Sequence, residues 1–294
     1  ISSVRLVSIK MSVRKSQQIH IIRPDGRMRE GMLTTIRHLI NEIWSFRSHI
    51  RRIFKGRFRA SYSGTGLGIF WNYVLPLIPL TVYWFLSVLR VFPNFEGVDG
   101  ATFITFGITL WFLFARCIQI PMQVIQSRNK ESMKTNFPLS ASIVSEFAQL
   151  LFDTLVRIIL VSIIIVSTQS WPTVQGLMLP FTLLPALFLF IGIGIILGIL
   201  NVIYNDVSRV VNIILQYGLF VSGVIFPLDN IGILSEFNAI NPFAIFIDSS
   251  RSIVFQGVIN NPQNYLIASG LAFIFFAISI RIFFIMEYRV RGIN

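Results

Sequence analysis

The sequence predicts an all-α integral membrane protein: six transmembrane helices, an N-terminal cytoplasmic amphipathic interface helix, and short re-entrant helices between spans five and six. Three observations lead there. Charged residues make up 13% of the 294 residues, about half the share usual in a soluble domain. Apolar residues reach 54%, with a mean hydropathy of +0.70. The charge is also lopsided, since residues 1–66 hold 14 Lys and Arg against Asp25, Glu30 and Glu42, which is +11 of the chain's +12. A basic excess abutting a hydrophobic span is the positive-inside pattern of a cytoplasmic tail. The high pI is therefore not read as a nucleic-acid footprint.

Residues 1–30 form the basic tail, which lacks the apolar core of a signal peptide. In residues 31–58, Leu33, Ile36, Leu39, Ile40, Ile43, Phe46, Ile50, Ile53 and Phe54 recur at steps of three and four, tracing one helix face. Arg37, Arg47, Arg51, Arg52 and Lys55 occupy the rest. The pattern predicts one amphipathic helix lying in the cytoplasmic interface.

Residues 59–294 form the transmembrane domain. About 20 apolar residues cross a bilayer core, and the first such run is 67–89. The second is 101–124, interrupted by Arg116, and the third is 143–168, containing Asp153 and Arg157. No charge occurs for the 48 residues between Arg157 and Asp206, enough for two crossings, and Trp171-Pro172 marks the break. Spans four and five are therefore 176–200 and 210–228. Span six is 265–286, with Arg281 near its end where it can snorkel.

Six crossings put both termini on one side. The loops of that side carry Arg128, Lys130, Lys134, Arg209, Arg289 and Arg291, while the opposite loops carry Arg251, with Arg90 at a boundary. That bias predicts cytoplasmic termini. Residues 229–262 are apolar but broken by Asn241-Pro242 and Asn261-Pro262. Each piece is too short to span, which predicts re-entrant or interfacial half-helices whose ends protein or a water-filled cavity must cover.

Little points to catalysis. Cys117 is alone, so no intrachain disulfide can form. His20, His38 and His49 all lie in the N-terminal segment and the external acids are scattered, so no acid–base or metal centre is expected. GTGLG, residues 64–68, lacks the strand and soluble helix of a phosphate-cradling loop, and no G-x-x-x-x-G-K-[ST] occurs. A flexible turn and close helix packing explain Gly64, Gly66 and Gly68. Asp153 and Arg157 share a helix face deep in span three, where charges are costly unless paired. Their two readings are an internal ion pair and a channel lining, and Phe106 and Trp111 of span two divide the same way between helix pairing and stacking on a passing ligand. Arg116 and Glu146 read as interfacial or snorkelling groups.

YSGTGLGIFW (62–71), with Pro76 behind it, resembles the entry motif of ABC-2 type permeases that export polysaccharides and teichoic acids. Tyr62, Gly64, Leu67, Gly68 and Trp71 match that pattern, Thr65 replaces Ser, and Ser61 stands where Arg is common, leaving Arg57 or Arg59 for that role. NKESMKTNFPL (129–139), YNDVSRVVNIILQ (204–216, with Asn205 where Arg is usual), SGVIFPL (222–228) and NPFAIFIDSSR (241–251) are similar to later segments of the family in the same order.

The resemblance implies half of a channel. It implies a homodimer served by two copies of a separate ABC ATP-binding subunit that holds ATP and Mg, with no cofactor in this chain, in a bacterial inner membrane. The implied substrate is a polyprenyl-diphosphate-linked glycan: O antigen, capsular polysaccharide or teichoic acid. Arg51, Arg52, Lys55, Arg57 and Arg59 would grip the diphosphate, although attraction to anionic lipid accounts for them equally. Arg128, Lys130, Glu131 and Lys134 would couple to the ATPase, or form a solvated positive-inside turn. An exporter of drugs or small lipids and a membrane-embedded transferase are the rival classes.

Overall fold

The computed structural model describes residues 31–60, 70–89, 91, 97–131, 138–225 and 232–292. Within them the fold is all-helical, with α1 (Met32–Ser45), α2 (Arg47–Ala60), α3 (Trp71–Val88), α4 (Gly100–Glu131), α5 (Leu139–Thr168), α6 (Leu179–Ile203), α7 (Val207–Gly218), α8 (Gly232–Ile240), α9 (Pro242–Phe255) and α10 (Pro262–Gly292). Short 3₁₀ turns, Val174–Met178 and Leu219–Val221, precede α6 and follow α7.

Four segments are long and apolar enough to cross a bilayer: Gly100–Ser127, Leu139–Thr168, Val174–Ile203 and Pro262–Glu287. They correspond to predicted spans two, three, four and six. Of the other two predictions, the fifth needs correcting. Helix α3, Trp71–Val88, covers 18 residues of predicted span one, whose first residues, 67–69, lie outside the described residues. Helix α7 has only 12 and gives way at Gly218 to a 3₁₀ turn, so the apolar run predicted for span five is not one helix. At 1.5 Å per residue α7 is roughly 18 Å long, short of the ~30 Å core.

Helix α4 is the axis of the fold and is buried along nearly its whole apolar length, with α3, α5, α6 and α9 packed around it. Its crossing with α6 is close because α6 presents glycine. A methyl on Gly194 would come 3.0 Å from the Cys117 carbonyl, and one on Gly198 would come 3.0 Å from the Met122 Cα. Pro121, four residues after Cys117 in α4, has no N–H to return to that carbonyl. On the other side of α6, Gly192 faces Ser279, Phe275 and Phe276 of α10. Small residues let membrane helices approach in this way. The outer faces of α5 and α10 show the reverse pattern: Leu155, Ile159, Ile163, Leu266, Leu271 and Ile274 are all exposed. Exposed aliphatic rows on long helices are what lipid or another membrane helix covers, and the chain is a multi-pass membrane protein.

The predicted amphipathic helix is two helices. The ladder breaks at Phe46 (φ −96°, ψ 9°), which separates α1 from α2. Helix α1 is fastened at three points. The Arg281 guanidinium donates to Thr35 Oγ1 at 2.7 Å, Ser140 Oγ donates to Glu42 Oε2 at 2.5 Å, and the His38 ring meets Phe284 edge-on at 5.3 Å. Arg281 therefore ties α10 to α1, where the sequence reading has it snorkelling. In α2, Ile50, Ile53 and Phe54 are half-buried on the side packed along α5, while Arg51, Arg52 and Lys55 are exposed.

The two predicted proline breaks locate real helix starts. Asn241 caps α9, its Oδ1 accepting from the Phe243 N–H at 3.1 Å with Pro242 in the first turn, and α10 begins at Pro262. At roughly 14 and 21 Å, α8 and α9 are too short to span. Helix α9 is instead buried against α4 and α6, with Phe243 lying 4.2 Å from Phe190 and 4.4 Å from Trp111 between ring centroids. That burial supplies the protein cover such short helices need.

Candidate functional site

Polar side chains inside the membrane domain gather in a cleft of about 440 Å³ between α4, α5 and α7. Helix α4 contributes Trp111, Phe112, Ala115, Arg116 and Gln119, spaced so that they share one face. Helix α7 contributes Asn212, Leu215 and Gln216, again one face, and α5 contributes Arg157. Gln119 Nε2 donates to Asn212 Oδ1 at 3.0 Å, closing one end of the cleft by joining α4 to α7. The Arg157 guanidinium is 9% exposed and lies over the Phe112 ring, 4.8 Å from its centroid. Such a stack holds the planar cation in a fixed orientation. One turn earlier on α5, Asp153 Oδ1 accepts from Gln149 Nε2 at 2.8 Å.

The position of Arg116 follows from the helix bounds. The sequence reading ends this span at 124, whereas α4 continues to Glu131. Arg116 lies 11 residues before Ser127, the C-terminal end of the apolar stretch, or roughly 16 Å along the helix at 1.5 Å per residue. The Arg116 side chain lines the cleft.

A second arginine buried among the helices is built differently. Arg251 of α9 is 3% exposed, with its Cζ 3.4 Å from the centroid of the Phe103 ring. It donates to the carbonyls of Val224 (3.1 Å), Gly223 (3.4 Å) and Phe103 (3.4 Å). Gly107 of α4 makes the room: a Cβ there would run into the Arg251 guanidinium and come 2.9 Å from the Val224 carbonyl. Gly223 sits at φ +63°, so the turn that offers these carbonyls depends on glycine. Arg251, read from sequence as a loop charge, is a buried tie between α9, α4 and the end of α7.

The predicted site residues are placed unevenly. The cleft brings together Trp111 and Arg157, with Asp153 beside it. Phe106 is 8% exposed and packs on Phe255 at 5.4 Å, joining α4 to α9 away from the cleft. Arg51, Arg52 and Lys55 are exposed on α2. Arg57 and Arg59 have helical backbone there, but their side chains lie outside the described residues. The same holds for Arg128, Lys130 and Glu131 at the end of α4. Tyr62, Gly64, Leu67, Gly68 and Lys134 lie outside the described residues entirely, and Trp71 opens α3 half-buried. Sequence reasoning misses Gln119, Asn212 and Gln216. Their signal is polar residues recurring at helical spacing, Arg116 with Gln119 and Asn212 with Gln216, inside otherwise apolar runs. Among the described residues, no three His, Cys, Asp or Glu side chains form a metal-ligating group.

Comparison with known proteins agrees with this architecture. Residues 46–255 match the family described as ABC-2 type transporter. Over 221 residues the chain is 23% identical to the O-antigen export system permease protein RfbA of Myxococcus xanthus, covering 74% of this chain and 84% of that protein. With about seven-tenths of its length matched by the family, from the start of α2 to the end of α9, the chain belongs to the ABC-2 type transporters.

Proposed function

We propose that the chain is the permease subunit of an ATP-driven exporter that moves a polyprenyl-diphosphate-linked glycan from the cytoplasmic to the outer face of a bacterial inner membrane. The observation that carries this reading is a polar, aromatic-flanked cleft built into the helices of an ABC-2 family member. Guanidinium and amide donors in a low-dielectric setting suit hydroxyl-rich and anionic groups, and indole and phenyl faces suit sugar rings. The relative named as an O-antigen export permease supports the glycan class.

In this reading α3 and α7 with its 3₁₀ extension make the first and fifth of six crossings, and both termini are cytoplasmic by the charge bias. Residues 1–30 are the basic tail, 31–58 the interface segment and 59–294 the transmembrane domain. Two copies pair to enclose the path, and two copies of an ABC ATP-binding subunit supply hydrolysis with ATP and Mg. Exposed Arg51, Arg52 and Lys55, with Arg57 and Arg59, receive the diphosphate at headgroup height. Arg128, Lys130 and Glu131 at the cytoplasmic end of α4, with Lys134, take the force of the ATPase. The ties from α1 to α5 and α10 let displacement of the N-terminal helices reach the membrane helices directly.

The test is reconstitution of the chain in proteoliposomes with and without its ATP-binding subunit, following a labelled polyprenyl-diphosphate glycan. Movement that needs both proteins and ATP is the expected result. Movement by the chain alone, or none with both present, overturns the reading.

A further inference from the structure

We infer that the cleft between α4, α5 and α7 is an anion site, and that Arg116 is the group that reads an anionic unit, a phosphate or carboxylate, of the translocated molecule. The inference rests on the export reading above and names the residues inside the helix bundle that would meet the negative charge of its substrate. The cleft lining contains two guanidiniums, those of Arg116 and Arg157, and no carboxylate. The nearby acid, Asp153, lies outside the lining, accepts from Gln149 and is within electrostatic reach of both arginines, so it offsets one of their two charges. Two arginines against one acid leave the cleft net positive, and a partly buried positive charge attracts an anion more strongly than the same charge would in water.

The two arginines divide the work. Arg157 is held flat on Phe112 and sets one wall. Arg116 is half-buried at the cleft and, although it feels the charge of Asp153, makes no hydrogen bond among the described residues, so its fork of donors is open to a ligand. Guanidinium geometry matches carboxylate and phosphate in paired hydrogen bonds. Gln216, across the cleft on α7, adds amide donors, and Trp111 offers an aromatic surface to a sugar ring. A space of about 440 Å³ is the size of one small-ligand site. It therefore accommodates a unit of a chain and not the whole polymer.

Negative charge has two sources, acidic sugars along the glycan and the diphosphate at its lipid end. The test uses the full chain, purified into phosphatidylcholine nanodiscs so that anionic lipid does not compete, with tetragalacturonate, inorganic pyrophosphate and neutral maltotetraose as separate probes. The inference expects tetragalacturonate or pyrophosphate to bind, whichever it is naming the source, and maltotetraose to bind at least tenfold more weakly. Arg116→Gln should weaken anion binding tenfold or more, with Arg116→Lys restoring part of it. Gln216→Glu, which adds a carboxylate from a different helix, should weaken it comparably, so the result does not depend on one variant folding. Anion binding unchanged in both Arg116→Gln and Gln216→Glu, or equal binding of neutral and charged probes, overturns the inference. If the wild-type chain exports glycan together with its ATP-binding subunit and ATP while those variants bind anions normally, only the anion site falls. If it exports none, the export reading itself fails.

Discussion

Arg116 and Arg251 are both arginines inside a membrane domain, and the surroundings of each differ in kind. Arg251 is wrapped: an aromatic face on one side, three backbone carbonyls on the other, and a glycine opposite to leave it space. Arg116 borders a cleft, has an amide-lined wall facing it, and makes no hydrogen bond among the described residues, its one compensating charge being that of Asp153 nearby. Burying a charge is tolerable when the structure supplies its partners and costly otherwise. The first arginine is therefore a tie that fixes α9 to α4, while the second keeps its donors for something that arrives. The contrast predicts that the two positions respond oppositely to substitution, one through stability and the other through ligand binding.

The largest effect should come from Arg251→Ala, which removes three carbonyl contacts and leaves a void beside Phe103. A loss of about 3–5 kcal/mol is expected, read as a fall in the unfolding midpoint of the detergent-purified protein. Gly107→Ala attacks the same tie from α4, because its methyl claims the space of the guanidinium, and overpacking of this sort costs about 1–3 kcal/mol. Gly194→Ala should cost a similar amount through the α4–α6 crossing, although no arginine is involved. If Gly107→Ala proves no more destabilising than an alanine at exposed Gly270, the tie is not tight.

Smaller effects sharpen the comparison. Thr35→Val keeps the shape of a buried side chain but deletes the acceptor of the Arg281 bond. A loss of about 1 kcal/mol is expected, together with faster amide exchange across α1 measured by hydrogen–deuterium exchange. Arg116→Gln should change the unfolding midpoint least, within about 0.5 kcal/mol. A strong destabilisation at Arg116 would place it in the same class as Arg251 and remove the distinction.

The parts of the fold legible in sequence are those decided by composition along the chain. The uncharged 48 residues after Arg157 report two adjacent apolar helices. The pairs Asn241-Pro242 and Asn261-Pro262 mark helix starts because proline is favoured in a first turn and excluded from a helix interior. What stays hidden is whatever depends on a partner distant in sequence. The break at Phe46 separates two stretches of one amphipathic pattern, which periodicity alone joins. Helix α7 stops at Gly218 although the apolar run continues, because hydropathy measures preference for lipid and not helical continuity. Arg251 looks like a loop charge until Gly107, more than a hundred residues earlier, is seen to make room for it. The site divides in the same way. Trp111 and Arg157 are recognisable as chemistry-bearing residues in apolar spans, but their meeting with Asn212 and Gln216 requires α7 to lie against α4.

The account stands most directly on whether the cleft lies on the export path. The deciding measurement is ATP-dependent transport of a labelled lipid-linked glycan by the reconstituted complex carrying Gln216→Trp, which fills the cleft from α7. The complex must still assemble and hydrolyse ATP. Transport abolished while hydrolysis continues is the predicted result, and transport at the unsubstituted rate would contradict it.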